Sequence, residues 1–200
     1  MTDKTDFSIF YQKKRILASH SPRRKSLLEE IGWEFEVFPA PDSVEDGLTT
    51  EGWTPEELVR VLARAKAGYV AAQLADQDVV IIGCDTVAVC QGEILGKPHD
   101  RMEAQRMLRR LSGTRHKVLT GLVLWNPRYP KNIHEETVTT ILEMDALSEE
   151  TLECYLDSNR WQGKAGAFGY QDGNDWLKIM DGTASNVVGL PVERLKELIG

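Results

Sequence analysis

The chain is short of cysteine. It has three in 200 residues, Cys84, Cys90 and Cys154. An odd number at wide spacing suits neither a disulfide framework nor a CxxC metal site, so these read as isolated reduced thiols. Long apolar runs are also missing, since stretches such as Val79-Val80-Ile81-Ile82 are far too short to cross a bilayer. Positive charge is not in surplus. Lys and Arg number 24 against 31 Asp and Glu, a formal net charge of −7. That argues against a protein held on nucleic acid by a basic face. The polar N-terminus carries no apolar stretch of signal-peptide type, so the expected compartment is the cytoplasm. The four histidines (His20, His99, His116, His134) have no metal-ligand spacing and read as exposed, although His20 and His116 fall inside candidate site segments. Neither a Walker loop nor a GxGxxG turn occurs in its proper context.

What is present is ordinary globular composition, 42% hydrophobic and 28% charged. The length is ample for a core without disulfide or zinc. Residues 1–14 show no clear period and read as an N-terminal arm, with one domain over 15–200. Arg15–Ser19 is a short strand. It runs directly into a helix that Ser21 caps, Pro22 opens and Gly32 closes. Trp33–Phe38 alternates as a strand, and residues 39–53 are an acidic loop. Thr54-Pro55-Glu56-Glu57 has capping-box spacing and starts a helix with the stripe Leu58, Val61, Leu62, Ala65, with Lys66 at its edge. Asp78–Gly83 is a buried-type strand that ends at Cys84-Asp85-Thr86. A hairpin over 87–95 delivers Gly96-Lys97-Pro98. Another helix starts at Asp100, with the stripe Ala104, Met107, Leu108, Leu111 and a stop at Gly113. Strands at 118–125 and 137–144, a short helix capped by Ser148, a Gly-rich loop at 163–175 and a helix after Pro191 complete the chain. Alternating strands and helices with added hairpins imply an α/β fold with a mixed sheet.

Four places could carry chemistry. At Ser19–Arg24 a strand feeds a helix N-terminus, whose unsatisfied N–H groups and partial positive charge suit a phosphate. Ser19 and Ser21 add hydroxyls, and Arg23 and Arg24 add guanidiniums that can pair phosphate oxygens bidentately. A well-capped helix with solvated arginines would read the same. Asp85-Thr86, at the C-terminal end of an apolar strand, lies where open α/β sheets place ligands. Its carboxylate could bind Mg²⁺, take a proton from water, or cap a turn. Gly96-Lys97-Pro98 presents a lysine from a stiff loop, suited either to phosphate neutralisation or to the surface. In Gly163–Gln171, glycines permit close backbone approach, and Gln171 can both donate and accept, as a base edge requires. Glu135-Glu136 and Glu149-Glu150 read as solvated faces.

Together these segments resemble the Maf family of nucleoside triphosphate pyrophosphatases. The resemblance is carried by Leu17-Ala18-Ser19-His20-Ser21-Pro22-Arg23-Arg24 with Leu27-Leu28, Lys66-Ala67, Cys84-Asp85-Thr86-Val87 and Ile94-Leu95-Gly96-Lys97-Pro98. It continues through Leu111-Ser112-Gly113 with His116, Gly163-Lys164-Ala165-Gly166-Ala167, Gly169-Tyr170-Gln171 and Ser185–Pro191, in the family's order across residues 15–199. It implies an elongated mixed β-sheet with flanking helices and two lobes around a cleft, similar to inosine triphosphate pyrophosphatases. It further implies a cytoplasmic, house-cleaning, metal-dependent homodimer that splits a nucleoside triphosphate into monophosphate and pyrophosphate. The family's proton acceptor falls on Asp85, and its specificity positions fall on Arg23, Thr86 and Gln171. The Asp-Thr-Val form resembles the branch acting on dTTP and UTP. Cys84 stands where alanine or serine is usual, and Tyr170 replaces an aliphatic residue.

On this resemblance, Ser19, Ser21, Arg23 and Arg24 hold the triphosphate, while Lys66 and Lys97 neutralise further oxygens. Mg²⁺ or Mn²⁺ is held by Asp85 and by one acid of Asp42–Asp46, for which Glu45 is chosen. Asp85 and Lys97 are the catalytic pair, and Thr86 and Gln171 read a pyrimidine edge. Neither nucleic acid nor a membrane is an expected partner. Two rivals stand beside this reading. One is a pyrophosphatase for a modified nucleotide such as 7-methyl-GTP. The other is a non-catalytic, nucleotide-sensing regulator of septum formation, against which intact Asp85 and Lys97 argue.

Overall fold

The computed structural model describes residues 7–46, 48 and 52–200. The expected arm lies partly on residues 1–6, outside the described residues. Phe7–Ile9 forms one turn of 3-10 helix and Phe10 is buried.

Seven strands form a mixed sheet: β1 (Lys14–Leu17), β2 (Phe35–Val37), β3 (Val79–Cys90), β4 (Glu93–Leu95), β5 (Arg115–Trp125), β6 (Ile133–Met144) and β7 (Leu177–Asp181). The helices are α1 (Pro22–Glu30), α2 (Pro55–Gln73), α3 (Arg101–Leu111), α4 (Glu149–Asp157), α5 (Ala184–Val188) and α6 (Val192–Ile199). β1 pairs in parallel with β2 and β3, whereas β3–β4 and β6–β7 are antiparallel, which bears out the mixed sheet. The chain divides into two compact units. The first holds the described residues up to Asp85 with Thr120–Val138 and Gly189–Gly200; the second holds Thr86–Leu119 and Thr139–Val188.

In the first unit both faces of the sheet are covered. Leu17, Val80, Ile82 and Cys84 pack with Leu28 of α1 and with Leu195 and Ile199 of α6. Ile16, Ala18, Val79 and Ile81 pack with Ala63, Ala67 and Val70 of α2. Two buried faces require apolar residues at both parities of the strand, which is why Val79–Ile82 is an unbroken apolar run. Each fully buried large side chain, such as Leu28, contributes about 1.5–3 kcal/mol.

The caps are where local chemistry places them. Ser21 Oγ accepts from Arg24 N, and Gly32 closes α1 at φ +70°. Thr54 and Glu57 form the reciprocal capping box on α2, and Asp100 caps α3 by accepting from Glu103 N at 2.8 Å. The stripe of α3 (Ala104, Met107, Leu108, Leu111) is buried in the second unit, as its spacing requires.

Several expectations are corrected. The buried face of α2 is Val59, Ala63, Ala67, Val70 and Ala71, not Leu58, Val61, Leu62 and Ala65. The reason is close packing. A Cβ on Gly83 would lie 2.6 Å from the Ala63 carbonyl oxygen and 2.8 Å from Ala67 Cβ. A Cβ on Gly121 would run into the Val59 carbonyl. The helix therefore turns its smallest side chains toward glycines of the sheet. β3 does not end at Asp85 but continues to Cys90, because Ala88–Cys90 pair with β4. The edge strand β7, paired to β6, lies beyond the Gly-rich loop in a stretch for which the sequence predicts no element. His116 is buried, and Glu136 is no solvated residue but pairs with Arg194 at 2.7 Å.

Candidate active site

The last register pair of β1 with β3 is Leu17 with Ile82, and Ala18 N–H then donates to the Ile82 carbonyl at 3.0 Å. β1 stops there while β3 runs on. Asp85 thus sits mid-strand, yet just beyond the C-terminal end of its parallel neighbour, where Ser19 leads into α1. The alternation of β3 directs Asp85 to the same face as Val79, Ile81 and Gly83, the face covered by α2. Because Ala63 and Ala67 bring α2 against Gly83, Lys66 arrives beside that carboxylate. Lys66 Nζ lies 2.5 Å from Asp85 Oδ1 and 2.7 Å from Glu45 Oε1. Glu45 comes from the 3-10 turn Asp42–Glu45. The side chains of Lys66 and Asp85 are 17% and 15% exposed, so the pair is largely shielded from water and is stronger than a surface pair. Glu45, at 38%, is the wet end of the cluster.

At the start of α1 the Arg24 side chain is buried, 9% exposed. Its Nε donates to the Gly189 carbonyl at 2.7 Å and one terminal nitrogen donates to Ser19 Oγ at 2.9 Å. Ser21 N–H also donates to Ser19 Oγ, at 3.2 Å. With two donors entering its oxygen, the Ser19 hydroxyl has its own hydrogen to give. Arg23 lies half-buried in the first turn of α1.

Cys84 is buried within electrostatic reach of both groups. Burial pushes its thiol up to about 11, while the positive charges of Arg24 and Lys66 pull down and Asp85 pushes up. One buried thiol therefore senses the α1 cation and the lysine–carboxylate pair together. Protonated at neutral pH, it is a small apolar filler and no nucleophile.

The second unit places the other expected residues. Thr86 is half-buried on β3, Lys97 is exposed, and Gln171 is exposed in the 3-10 turn Tyr170–Asp172. The loop carrying Lys97 is tied to the Gly-rich segment, since Gly166 N–H donates to the Gly96 carbonyl at 2.9 Å. Gly166 has φ +69°, and a Cβ there would sit 2.9 Å from Ala88 Cβ, so glycine is required on two grounds.

Ser19, Ser21 and Arg24 are thus brought together, as are Glu45, Lys66 and Asp85. Sequence reasoning expected Lys66 to meet phosphate; here its ammonium joins two carboxylates. The Gly189 carbonyl as an anchor for Arg24 carries no sequence signal. The approach of Ala63 and Ala67 to Gly83 was detectable only as small residues at helical spacing. Among the described residues no cluster of three or more His, Cys, Asp or Glu could hold a metal unaided, and no helix is long and apolar enough to cross a membrane.

A family described as Maf-like protein matches residues 14–200. A protein of Rhodopirellula baltica called dTTP/UTP pyrophosphatase is 52% identical over 185 residues, covering 92% of this chain and 80% of that one. Proteins of the same name from Pelotomaculum thermopropionicum and Clostridioides difficile are each 40% identical. They cover 94% and 92% of this chain and 95% and 92% of their own lengths. Among solved structures, a HAM1 protein from Coxiella burnetii aligns over 94% of this chain and 98% of that one, with a TM-score of 0.48 at 14% identity.

Proposed function

Because this chain belongs to the Maf family, we propose that it hydrolyses nucleoside triphosphates, dTTP and UTP foremost, to the monophosphate and pyrophosphate. The reading draws its main support from one observation, the shielded Asp85 held by Lys66 just past the end of β1. Asp85 accepts the proton of a water that attacks the α-phosphorus, with pyrophosphate as the leaving group. Lys66 holds the Asp85 carboxylate in one orientation. The phosphates are met by the Ser19 hydroxyl, Ser21, Arg23 and the N–H groups of the first turn of α1. Arg24 holds Ser19 in place and adds its charge. Lys97 neutralises phosphate oxygens, and Thr86 and Gln171 contact the base. Positioning and charge stabilisation then supply most of the rate.

The donor set fits a divalent cation. Glu45 and Asp85 offer carboxylate oxygens that already converge on one cation, the Lys66 ammonium. Mg²⁺ is commonly held by one or two carboxylates, with substrate phosphates and water completing its shell, so two acids suffice. When bound, the metal supplies charge neutralisation of the phosphates and a more acidic water. On the same reading the enzyme works in the cytoplasm, as a homodimer, on free nucleotides.

The test is pyrophosphate release across a panel of canonical and modified nucleoside triphosphates, with and without Mg²⁺, in ¹⁸O-labelled water. The expected result is metal-dependent turnover favouring dTTP and UTP, with label in the monophosphate. Label in pyrophosphate would refute attack at the α-phosphorus, and binding without turnover would favour a nucleotide sensor.

A further inference from the structure

In the second unit the segment that carries Gln171 is an exposed turn, yet one residue further on lies a buried polar network. Lys164 Nζ contacts both oxygens of Asp172, at 2.6 and 2.5 Å, and the two side chains are only 11% and 9% exposed. Tyr155 of α4, itself 3% exposed, donates its O–H to Asp172 Oδ2 at 2.9 Å. The phenol oxygen in turn accepts from Gly169 N–H at 3.2 Å. Burial raises the Tyr155 pKa, and the Asp172 charge and hydrogen bond raise it further, so the phenol keeps its proton and the direction of the chain is set. Arg160 stacks over the Tyr155 ring, 5.2 Å from its centroid, and donates to the Asp172 carbonyl at 3.1 Å. Gly169 passes so close that a Cβ would lie 2.6 Å from Asp172 Oδ2.

The two ends of the four-residue span Gly169–Asp172 are therefore tied to one buried centre. Gly169 is held through its N–H and Asp172 through its carboxylate and carbonyl, while Tyr170 and Gln171 lie between. Burying an ion pair that anchors nothing would be a poor use of two desolvated charges, since such pairs rarely add net stability over apolar packing. In some proteins buried polar and ionic groups instead impose one conformation. Here the segment so constrained presents Gln171.

We propose that Lys164, Asp172 and Tyr155 form a positioning network that sets the Gly169–Gln171 segment and thereby the nucleobase discrimination exerted by Gln171. The proposal rests on the reading of Gln171 as a contact to the base. Asp172 and Tyr155 act through the backbone of their neighbours and touch no reacting atom.

The experiment compares kcat and KM for dTTP and dGTP in the wild type, Gln171→Ala, Asp172→Asn, Tyr155→Phe and the double variant Gln171→Ala/Asp172→Asn. Asp172→Asn and Tyr155→Phe are each expected to lower the dTTP-over-dGTP ratio of kcat/KM by about tenfold, the effect of misplacing one hydrogen bond, with the loss carried by the KM for dTTP. The double variant should be no less selective than Gln171→Ala alone, because both changes remove the same interaction. Amide exchange at Gly169 should quicken in Tyr155→Phe. If Gln171→Ala keeps the wild-type ratio, the base-contact reading falls. If Gln171→Ala loses selectivity while Asp172→Asn and Tyr155→Phe keep it, or if the double variant loses both effects additively, the network proposal falls and the reading stands. Should Asp172→Asn not fold, Tyr155→Phe, which removes one oxygen and keeps the ring, carries the same comparison.

Discussion

Lys66 Nζ stands 2.5 Å from Asp85 Oδ1, an ammonium against a carboxylate 19 residues later in the chain. The contact is a consequence of small residues. Ala63 and Ala67 let α2 approach Gly83, and Lys66 precedes Ala67 while Asp85 follows Gly83 by two. The same lysine reaches Glu45, so one cation holds an acid from a strand and an acid from a 3-10 turn.

Asp85→Asn keeps the size of the side chain and removes its ability to take a proton. Turnover should fall by about 10²–10⁴-fold, the usual range for loss of a general base. Nucleotide affinity, read by calorimetry, should stay near that of the parent. Near-normal pyrophosphate release from this variant would remove Asp85 from its assigned role.

Lys66→Met leaves two carboxylates facing each other across a shielded gap. The variant should lose about 1–3 kcal/mol of stability, the cost of stranding buried charged partners. Because Glu45 and Asp85 would then lack their cation, Mg²⁺ should raise the melting temperature of the variant more than that of the parent. Equal responses to Mg²⁺ in calorimetric melts would contradict a metal role for this pair of acids.

His116 is 3% exposed and packs edge-on against Phe168, with ring centroids 5.2 Å apart. Burial lowers its pKa to about 4 from an ordinary 6.5, only partly opposed by the nearby backbone of Thr114, which favours the protonated ring. The folded state therefore binds a proton less readily than the unfolded chain. Its contribution is complete above pH 6.5 and is lost as pH falls toward 4, by on the order of 3 kcal/mol. Urea titrations at pH 7 and pH 4.5 should show this loss, and His116→Phe should abolish most of it. A His116→Phe profile parallel to the parent would show that the acid sensitivity lies elsewhere.

Glu136 should dominate a lower window. Burial alone would raise its pKa, but hydrogen bonds and charges from His134 and Arg194 carry it down to about 2. A carboxylate lowered on folding stabilises above its unfolded pKa, and that share is lost between about pH 4.5 and pH 2. Glu136→Gln should flatten stability in that range and lower it by a constant amount across pH 5–7, as read by denaturant midpoints.

Gly121→Ala would drive a methyl into the Val59 carbonyl. The helix must move or the strand must bend, at a cost of about 1–3 kcal/mol or more. Since α2 carries Lys66, the loss in kcat should exceed what the change in stability explains at a temperature where the variant is fully folded. Full activity with full stability would mean that the helix approach does not set the lysine.

The local devices were written in the chain. Ser21, Thr54 and Asp100 act as caps because their side-chain oxygens satisfy nearby N–H groups. Gly32 closes α1 because it tolerates positive φ, and Val79–Ile82 must be buried on both faces because it offers no polar one. Such features depend on residues within a few positions of each other, so the sequence alone determines them. Only the tertiary structure decided which face of α2 is buried, because that depends on glycines 20 and 58 positions from Ala63 in the chain. It also decided that β3 runs past Asp85, since the β4 partner holds the strand, and that Lys66 meets carboxylates first. A lysine's partner is chosen by whichever charge the packing brings within about 4 Å, and no short-range pattern encodes that distance.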